Sequence, residues 1–173
     1  MDNLTKLQTI SYVREHWQDF IASVPEVDTL LYFDIDTFIC INDLFGMEGS
    51  DNKLSFVAKK IREYLPEKYP VVRFAGDEFL ALVNENEFSE EKLRNLLKEL
   101  DDPACKIKVN YSDINHFSVS CCMMKTNNLT SFEKLATLTD KAIEAIRCKK
   151  SPTESRKYRY QGVMAVENAI NEG

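Results

Sequence analysis

Two acidic motifs lie where short apolar runs of the sequence end, and their spacing favours a divalent-cation site. Asp34 and Asp36 are two residues apart, so on a strand both side chains would leave the same face. Asp77 and Glu78 lie in a turn between two further apolar runs. If the first strand lies beside that turn, Asp34 and Asp77 converge. Oxygen ligands of this kind suit Mg²⁺ or Mn²⁺, with water and substrate phosphates completing the coordination. Two such ions can activate a hydroxyl and stabilise the leaving oxygen of a phosphate ester.

A second interpretation of each motif is a solvated acid in a turn, since Asp is common in turns beside Gly. The combination favours the cation site, because uncompensated carboxylates this close would repel and a divalent ion removes that cost. Arg73, next to the turn, has two interpretations as well: it braces the turn, or it neutralises the nearby carboxylates.

The apolar periodicity predicts the elements that must position these acids. Helical spacing is found over 10–21, 37–64 with a break at 46–49, 90–100 and 132–148. Strands are predicted over 30–33, 71–74, 78–83, 105–111, 117–124 and 158–164, with a hairpin turn at 75–77 where Gly and Asp allow left-handed dihedrals. A polar loop is expected at 151–155, and a short helix or frayed tail after 166. Tyr32, at apolar spacing, is predicted to be a core residue. This order predicts an α/β or α+β fold, a sheet covered by helices.

The composition fits one globular domain, expected to span 1–173. With 22 Lys and Arg against 28 Asp and Glu, the net charge of −6 argues against a duplex nucleic acid as partner. The five cysteines are odd in number and form no C-x-x-C pair, so neither a disulfide framework nor a zinc ribbon is expected. The sequence begins without a signal peptide, and no apolar stretch approaches the ~20 residues of a membrane span. A reduced, cytoplasmic protein without a membrane partner is therefore expected.

The acidic motifs and their surroundings resemble a known family. The match is carried by residues 34–38 (D-I-D-T-F), Asn42, Asp43, Gly46, Asp51, Leu54 and residues 73–79 (R-F-A-G-D-E-F). Weaker matches are residues 2–7 (D-N-L-T-K-L), 117–120 (F-S-V-S) and 140–143 (D-K-A-I). In this order and spacing, from residue 2 to about 147, the chain resembles a GGDEF domain of the diguanylate cyclase family, in an A-G-D-E-F variant.

The resemblance implies a palm-like, mostly antiparallel sheet wrapped by helices, similar to nucleotidyl cyclases. It implies a cyclase that condenses two GTP into cyclic di-GMP and releases pyrophosphate. Asp34 and Asp77, with the carbonyl of Ile35, would ligate Mg²⁺ or Mn²⁺. Glu78 would help to deprotonate the ribose 3′-hydroxyl. Because each subunit would hold one GTP, a homodimer, stable or transient, is required.

The resemblance also implies a nucleotide site. Asn42 and Asp51 would read guanine, which offers N1–H and a 2-amino group to a carboxylate, whereas adenine has no such paired donor edge. Gly76 would let the turn approach the phosphates. Phe38 and Arg147 complete the predicted substrate-binding set, Arg147 at the position of a late-helix lysine of the family.

Several positions depart from the family pattern. Ile39 replaces a lysine that contacts phosphate, Ser50 replaces the glycine before Asp51, and Met47 replaces a histidine. The family's inhibitory R-x-x-D would fall at 66–69, which reads P-E-K-Y, so no product inhibition is expected there. Because the opening motif begins at residue 2, no separate sensory domain is expected. Regulation would then come from expression, dimerisation or an unidentified partner protein.

Two alternative functions remain open from the sequence. The departure at Ile39 and the partial opening motif are consistent with a degenerate module that binds GTP or a protein without turnover. A palm-type cyclase that makes another cyclic or linear oligonucleotide is the other alternative, and Asp51 disfavours it.

Overall fold

The computed structural model describes residues 1–150 and 162–168 and consists of eight strands and five helices. The strands are β1 (Gln8–Thr9), β2 (Thr29–Ile35), β3 (Val71–Ala75), β4 (Glu78–Val83), β5 (Asp102–Lys108), β6 (Ile114–Phe117), β7 (Val119–Lys125) and β8 (Met164–Glu167). The helices are α1 (Ile10–Glu15), α2 (Trp17–Ser23), α3 (Phe38–Tyr64), α4 (Glu90–Leu100) and α5 (Phe132–Lys150).

Six strands form one central sheet in the order β1-β3-β4-β2-β7-β8, and β5 pairs with β6 in a separate hairpin. The three inner pairings of the large sheet, β3 with β4, β4 with β2 and β2 with β7, are antiparallel, and β1 and β8 join the edges in parallel. The predicted α+β class with a mostly antiparallel sheet is thereby confirmed. β2, which ends in the first acidic motif, lies between β4 and β7 and is covered on both edges.

β2 is buried on both faces because its side chains alternate between two cores. Leu31 and Phe33 pack into the core beneath α3 and α4. Leu30 and Tyr32 pack into the second core, beneath α1, α2 and α5. Burial of each large apolar side chain contributes roughly 1.5–3 kcal/mol, so this strand is held firmly in place. A rigid central strand gives the acids at its end a fixed position.

Helix α3 is interrupted at Gly46, as predicted, because that residue has φ +69° and ψ −172°. Only glycine adopts such a conformation without strain. Gly49 serves a different purpose: a Cβ there would lie 2.4 Å from the Cβ of Phe45, so the two turns of the helix pack too closely for a side chain. The predicted break is confirmed at Gly46, whereas Gly49 lies inside the second helical piece.

Three predicted elements differ from the structure. The helix expected over 10–21 is two helices, because the backbone leaves the helical conformation at His16 (φ −118°, ψ 35°). The strand expected over 105–111 is Asp102–Lys108, because the side chain of Asn110 accepts bonds from the amides of Ser112 (2.9 Å) and Asp113 (2.8 Å) and turns the chain. The strand expected over 117–124 is divided into β6 and β7 at Ser118, whose backbone carbonyl accepts from the amide of Asp36 at 3.0 Å.

Of the last predicted strand, over 158–164, most residues lie outside the described part of the chain, as does the predicted loop at 151–155. Met164, the last residue of that predicted strand, begins β8, which continues through Glu167. Most of the short helix or frayed tail expected after 166 also lies outside the described residues. In the described residues, all five cysteines are free thiols, and no helix has the length and apolarity needed to cross a membrane.

Candidate active site

The two acidic motifs lie side by side at one end of the central sheet. In the pairing of β2 with β4, Asp34 is directly opposite Glu78. The amide of Ile35 donates to the carbonyl of Asp77 at 3.2 Å, which joins the end of β2 to the hairpin turn. The structure thus brings Asp34, Ile35, Asp77 and Glu78 together, although the two motifs are more than forty positions apart in the sequence.

Tyr32 is part of this acidic cluster, a role that its apolar spacing did not indicate. Its hydroxyl donates to Oε1 of Glu78, and its side chain is almost completely buried. Burial, then the hydrogen bond to Glu78, then the charges of the neighbouring carboxylates raise the pKa of the Tyr32 hydroxyl well above its ordinary value. Those charges are Asp34, Glu78 and Asp77, in decreasing order of effect. The hydroxyl therefore remains a proton donor in a strongly negative environment.

The hairpin turn itself is braced by Arg73. The Nε and Nη2 atoms of Arg73 donate to the carbonyl of Gly76 at 3.2 and 2.7 Å, and Nη1 lies 3.0 Å from Oδ2 of Asp2. Burial alone would raise the pKa of Asp2, but hydrogen bonds from Thr5 and the Arg73 guanidinium lower it below the ordinary value. The two hydrogen bonds to Gly76 support the interpretation that Arg73 braces the turn. The carboxylate that Arg73 pairs with is that of Asp2.

The turn does not use the left-handed dihedrals that Gly and Asp would allow. Positive φ at glycine occurs in the described residues at Gly46 and Gly162, and Gly76 is not among them. The chain reverses over Gly76 and Asp77, between the paired residues Ala75 and Glu78, and the β3–β4 register shifts just before this turn, between Arg73 and Ala75. A Cβ at Gly76 would meet no atom within 4 Å, so the turn faces open space in which a ligand could approach its backbone.

Asp36 has a structural environment that differs from that of Asp34. It is 2% exposed and accepts hydrogen bonds from the hydroxyls of Ser118 and Ser120, both at 2.7 Å, and from the amide of Gly162 at 2.9 Å. Bonds to a carboxylate are among the stronger ones in proteins. Asp36 therefore ties the end of β2 to β7 and β8. The signal in the sequence was the pair of serines at alternate positions in an otherwise apolar strand.

The chain turns sharply between Asp36 and α3. Thr37 has φ +55° and ψ +35°, a left-handed conformation that costs a β-branched residue roughly 1–2 kcal/mol. Its carbonyl accepts from the amides of Cys40 (2.9 Å) and Ile41 (3.2 Å), which starts the helix at once. The first turn of α3 therefore follows directly on the acidic end of β2, and the amides at such a helix start favour anions.

The predicted substrate residues on α3 lie on both sides of the Gly46 break. Asn42 belongs to the first helical piece and Asp51 to the second. The hydroxyl of Ser50, which is buried, shares its one proton between Oδ1 of Asn42 at 3.1 Å and the carbonyl of Gly46 at 2.9 Å. This contact joins the two helical pieces through Asn42 and the residue before Asp51.

The two remaining predicted residues, Phe38 and Arg147, and the departing residue Ile39 differ in their surroundings. Phe38 is partly buried against the core beneath α3, whereas Ile39 is 78% exposed. Arg147 is exposed near the end of α5, on the sheet face that carries Tyr32. Two residues later, Nζ of Lys149 donates to the carbonyl of Met164 at 3.3 Å. Met164 begins β8, which pairs with β7 near the end of β7 that lies beside the acidic end of β2. The end of α5 thus approaches the acidic end of the sheet.

The acids fit a Mg²⁺ or Mn²⁺ ion that arrives with its nucleotide. In the described parts of the chain, no group of three or more His, Cys, Asp or Glu side chains is arranged to hold a metal alone. Mg²⁺ does not need one, because it is usually bound by one or two carboxylates together with waters and phosphate oxygens. Asp34, Asp77 and the carbonyl of Ile35 are of the right chemical type, and the negative environment of Tyr32 favours a cation.

The fold and site define an α+β domain with an acidic β-hairpin beside the acidic end of its central strand. Residues 1–152 match the family described as "Diguanylate cyclase, GGDEF domain". The chain belongs to this GGDEF family.

Relatives and solved structures agree with this assignment. The chain is 30% identical over 145 residues to a probable diguanylate cyclase, DgcI, of Escherichia coli K12, covering 83% of this chain and 30% of that protein. It is 33% identical over 76 residues to the cyclic di-GMP phosphodiesterase NbdA of Pseudomonas aeruginosa, covering 43% of this chain and 10% of that protein. The GGDEF domain of DgcB from Caulobacter crescentus, solved in complex with c-di-GMP, has the same fold, with a TM-score of 0.70 and 18% identity over 96% of this chain and 94% of that one. The chain thus spans less than a third of either curated relative.

Proposed function

We propose that this chain is a diguanylate cyclase that joins two GTP molecules into cyclic di-GMP, with Mg²⁺ or Mn²⁺ as cofactor. The observation that carries the proposal is the cross-strand pair of Asp34 and Glu78, with Asp77 bonded through its backbone to Ile35. These three acids are the residue types that phosphoryl transfer needs, two for metal and one for a proton.

In the proposed mechanism each residue has one task. Asp34, Asp77 and the Ile35 carbonyl would hold the cation, which would supply Lewis-acid stabilisation of the phosphate charge. Glu78 accepts the proton of the ribose 3′-hydroxyl. The 3′-oxygen then forms a bond to the α-phosphorus of the other GTP, the bond from that phosphorus to the bridging oxygen breaks, and pyrophosphate leaves with its electron pair. A second, reciprocal step closes the ring.

The reaction requires two copies of the chain. The described residues contain one acidic hairpin beside β2, and closing the ring takes two such steps with the nucleotides exchanging roles. We therefore infer a homodimer in which the two hairpins face each other, each with one GTP.

Recognition of guanine is assigned to Asn42 and Asp51. Since Ser50 donates to Oδ1 of Asn42, the Nδ2 group of Asn42 is the part that can donate to an acceptor of the base. Asp51 accepts from N1–H and the 2-amino group. Phe38, Gly76 and Arg147 are proposed to contact the rest of the nucleotide, the last through its charge on the phosphates.

The decisive experiment is turnover of GTP by the purified chain with Mg²⁺, followed by chromatography of the products. It should be run at high protein concentration, with the dimer verified by sedimentation. We expect cyclic di-GMP and two pyrophosphates per product. The variant Glu78→Gln should lose about 10²–10⁴-fold in rate, whereas Glu91→Gln, on the exposed side of α4, should not. Absence of cyclic di-GMP from a verified dimer would contradict the proposal.

Ile39 favours a second candidate function, binding of GTP without turnover. It exposes an apolar side chain where the family pattern has a lysine for the phosphates. This alternative predicts nucleotide binding by calorimetry without pyrophosphate release. A related question is whether another nucleotide is used: Asp51→Ser should weaken the preference for GTP over ATP, and an unchanged preference would remove the guanine assignment.

A further inference from the structure

A buried tyrosine hydroxyl contacts the acid to which we assign the proton transfer. Tyr32 is 2% exposed, lies in the middle of β2, and donates to Oε1 of Glu78 on β4. In the register of the two strands, Tyr32 is opposite Leu80, so Glu78 is its diagonal neighbour on the same face. At this separation a long aromatic side chain can reach a cross-strand partner.

The body of Tyr32 is fixed independently of its hydroxyl. Its ring packs edge-on against Phe74 of β3, with centroids 6.4 Å apart and planes at 80°. The ring also belongs to the core beneath α1, α2 and α5. A phenylalanine could make the same packing contacts. The hydroxyl, by contrast, costs free energy to bury unless it is hydrogen-bonded, and its bond to Glu78 compensates that cost.

Glu78 needs such a partner because of its position. It is directly opposite Asp34, and like charges facing each other across two antiparallel strands repel. Without a donor, the flexible glutamate side chain would swing away from Asp34. A bond at Oε1 restrains the carboxylate, and Oε2 is then the oxygen available to the substrate hydroxyl.

We propose that Tyr32 is a positioning residue that holds Glu78 in the orientation required for proton transfer. This inference rests on the proposed cyclase function and deepens it. Tyr32 touches neither substrate nor metal in this proposal, and acts through Glu78.

The test compares Tyr32→Phe with Tyr69→Phe. Tyr69 is a matched control because it is 1% exposed and because burial and a glutamate outside the active site, Glu87, raise the pKa of its hydroxyl. We expect Tyr32→Phe to lower kcat about tenfold, which corresponds to ~1.4 kcal/mol, with the KM for GTP changed less than about twofold. Tyr69→Phe should leave both constants unchanged. Combining Tyr32→Phe with Glu78→Gln should give no further loss of kcat. An unchanged kcat in Tyr32→Phe, or equal losses of kcat in Tyr32→Phe and Tyr69→Phe, would overturn the proposal.

A second measurement needs neither turnover nor a folded Tyr32 variant. In the nucleotide-free parent, the Tyr32 hydroxyl proton should give a slowly exchanging downfield NMR signal with nuclear Overhauser contacts to the Phe74 ring. The signal should vanish or shift in Glu78→Ala. A signal that is absent from the parent, or unchanged in Glu78→Ala, would overturn the inference. If the parent shows the expected signal but makes no cyclic di-GMP, the contact stands and the proposed function fails.

Discussion

Replacing Ile39 by lysine should strengthen nucleotide binding if the first turn of α3 faces the GTP phosphates. Ile39 is the second residue of that helix and is 78% exposed. A lysine there would place a cation near the acidic end of β2, where the proposed site has two or more carboxylates and a triphosphate. The substitution therefore tests both the phosphate position and the effect of the departure from the family pattern.

The magnitude follows from three terms. Since only about a fifth of the Ile39 side chain is buried, losing its apolar contacts costs no more than about 0.7 kcal/mol. A cation in the first turn of a helix costs a further ~0.3–1 kcal/mol through the helix dipole. A charge-assisted bond to phosphate contributes ~1.5–3 kcal/mol when shielded, and less at an exposed position. We therefore expect the free energy of unfolding to fall by about 1 kcal/mol and nucleotide affinity to rise about 3- to 10-fold.

Affinity should be measured by calorimetry with Mg²⁺ and 3′-deoxy-GTP, which lacks the attacking hydroxyl and so cannot turn over. Ile114→Lys is the matched control, because it makes the same change at a 67% exposed position on β6, outside the central sheet. The gain at Ile39 should shrink as salt rises from about 0.05 to 0.5 M, because the contact is ionic and exposed. Equal gains in both variants, or no gain at Ile39, would refute the assignment of this turn to the phosphates.

Three other outcomes are expected. Asp36→Ala should lower the free energy of unfolding by about 3–5 kcal/mol, because two serine hydroxyls and a backbone amide lose the carboxylate to which they donate. In urea denaturation the exposed Asp43→Ala should change that free energy by less than about 0.5 kcal/mol, and similar losses in the two variants would contradict the argument. Ser50→Ala should weaken 3′-deoxy-GTP binding about 3- to 10-fold by releasing the amide of Asn42; an equal loss for the adenine analogue would show that guanine recognition is not involved. Added cyclic di-GMP should leave the initial rate unchanged, because residues 66–69 lack the Arg and Asp of the inhibitory motif; saturable, non-competitive inhibition would be the contrary result.

Local patterns in the sequence predicted much of the framework. The helix Glu90–Leu100 was predicted at its observed bounds, because its leucines recur at helical spacing. The structure adds that Ser89 caps its first turn. The hairpin of β3 and β4 and the break at Gly46 were also predicted. Apolar runs and glycines affect the backbone conformation of the residues next to them in the sequence, so their effect can be predicted locally. The division of 117–124 into β6 and β7 was not predicted, because the residue that interrupts it, Ser118, bonds to Asp36 at the end of the neighbouring strand β2, 82 positions away in the sequence.

The sequence by itself determined which acids are present and that they end buried strands, because residue type and periodicity are local properties. Which partners each acid has was decided only by the tertiary structure. Asp36 accepts hydrogen bonds from serines 82 and 84 positions away, and Glu78 accepts one from a tyrosine 46 positions away. Two aspartates in a D-x-D motif look equivalent until the strands pair, since the partners that distinguish them become neighbours only through the sheet.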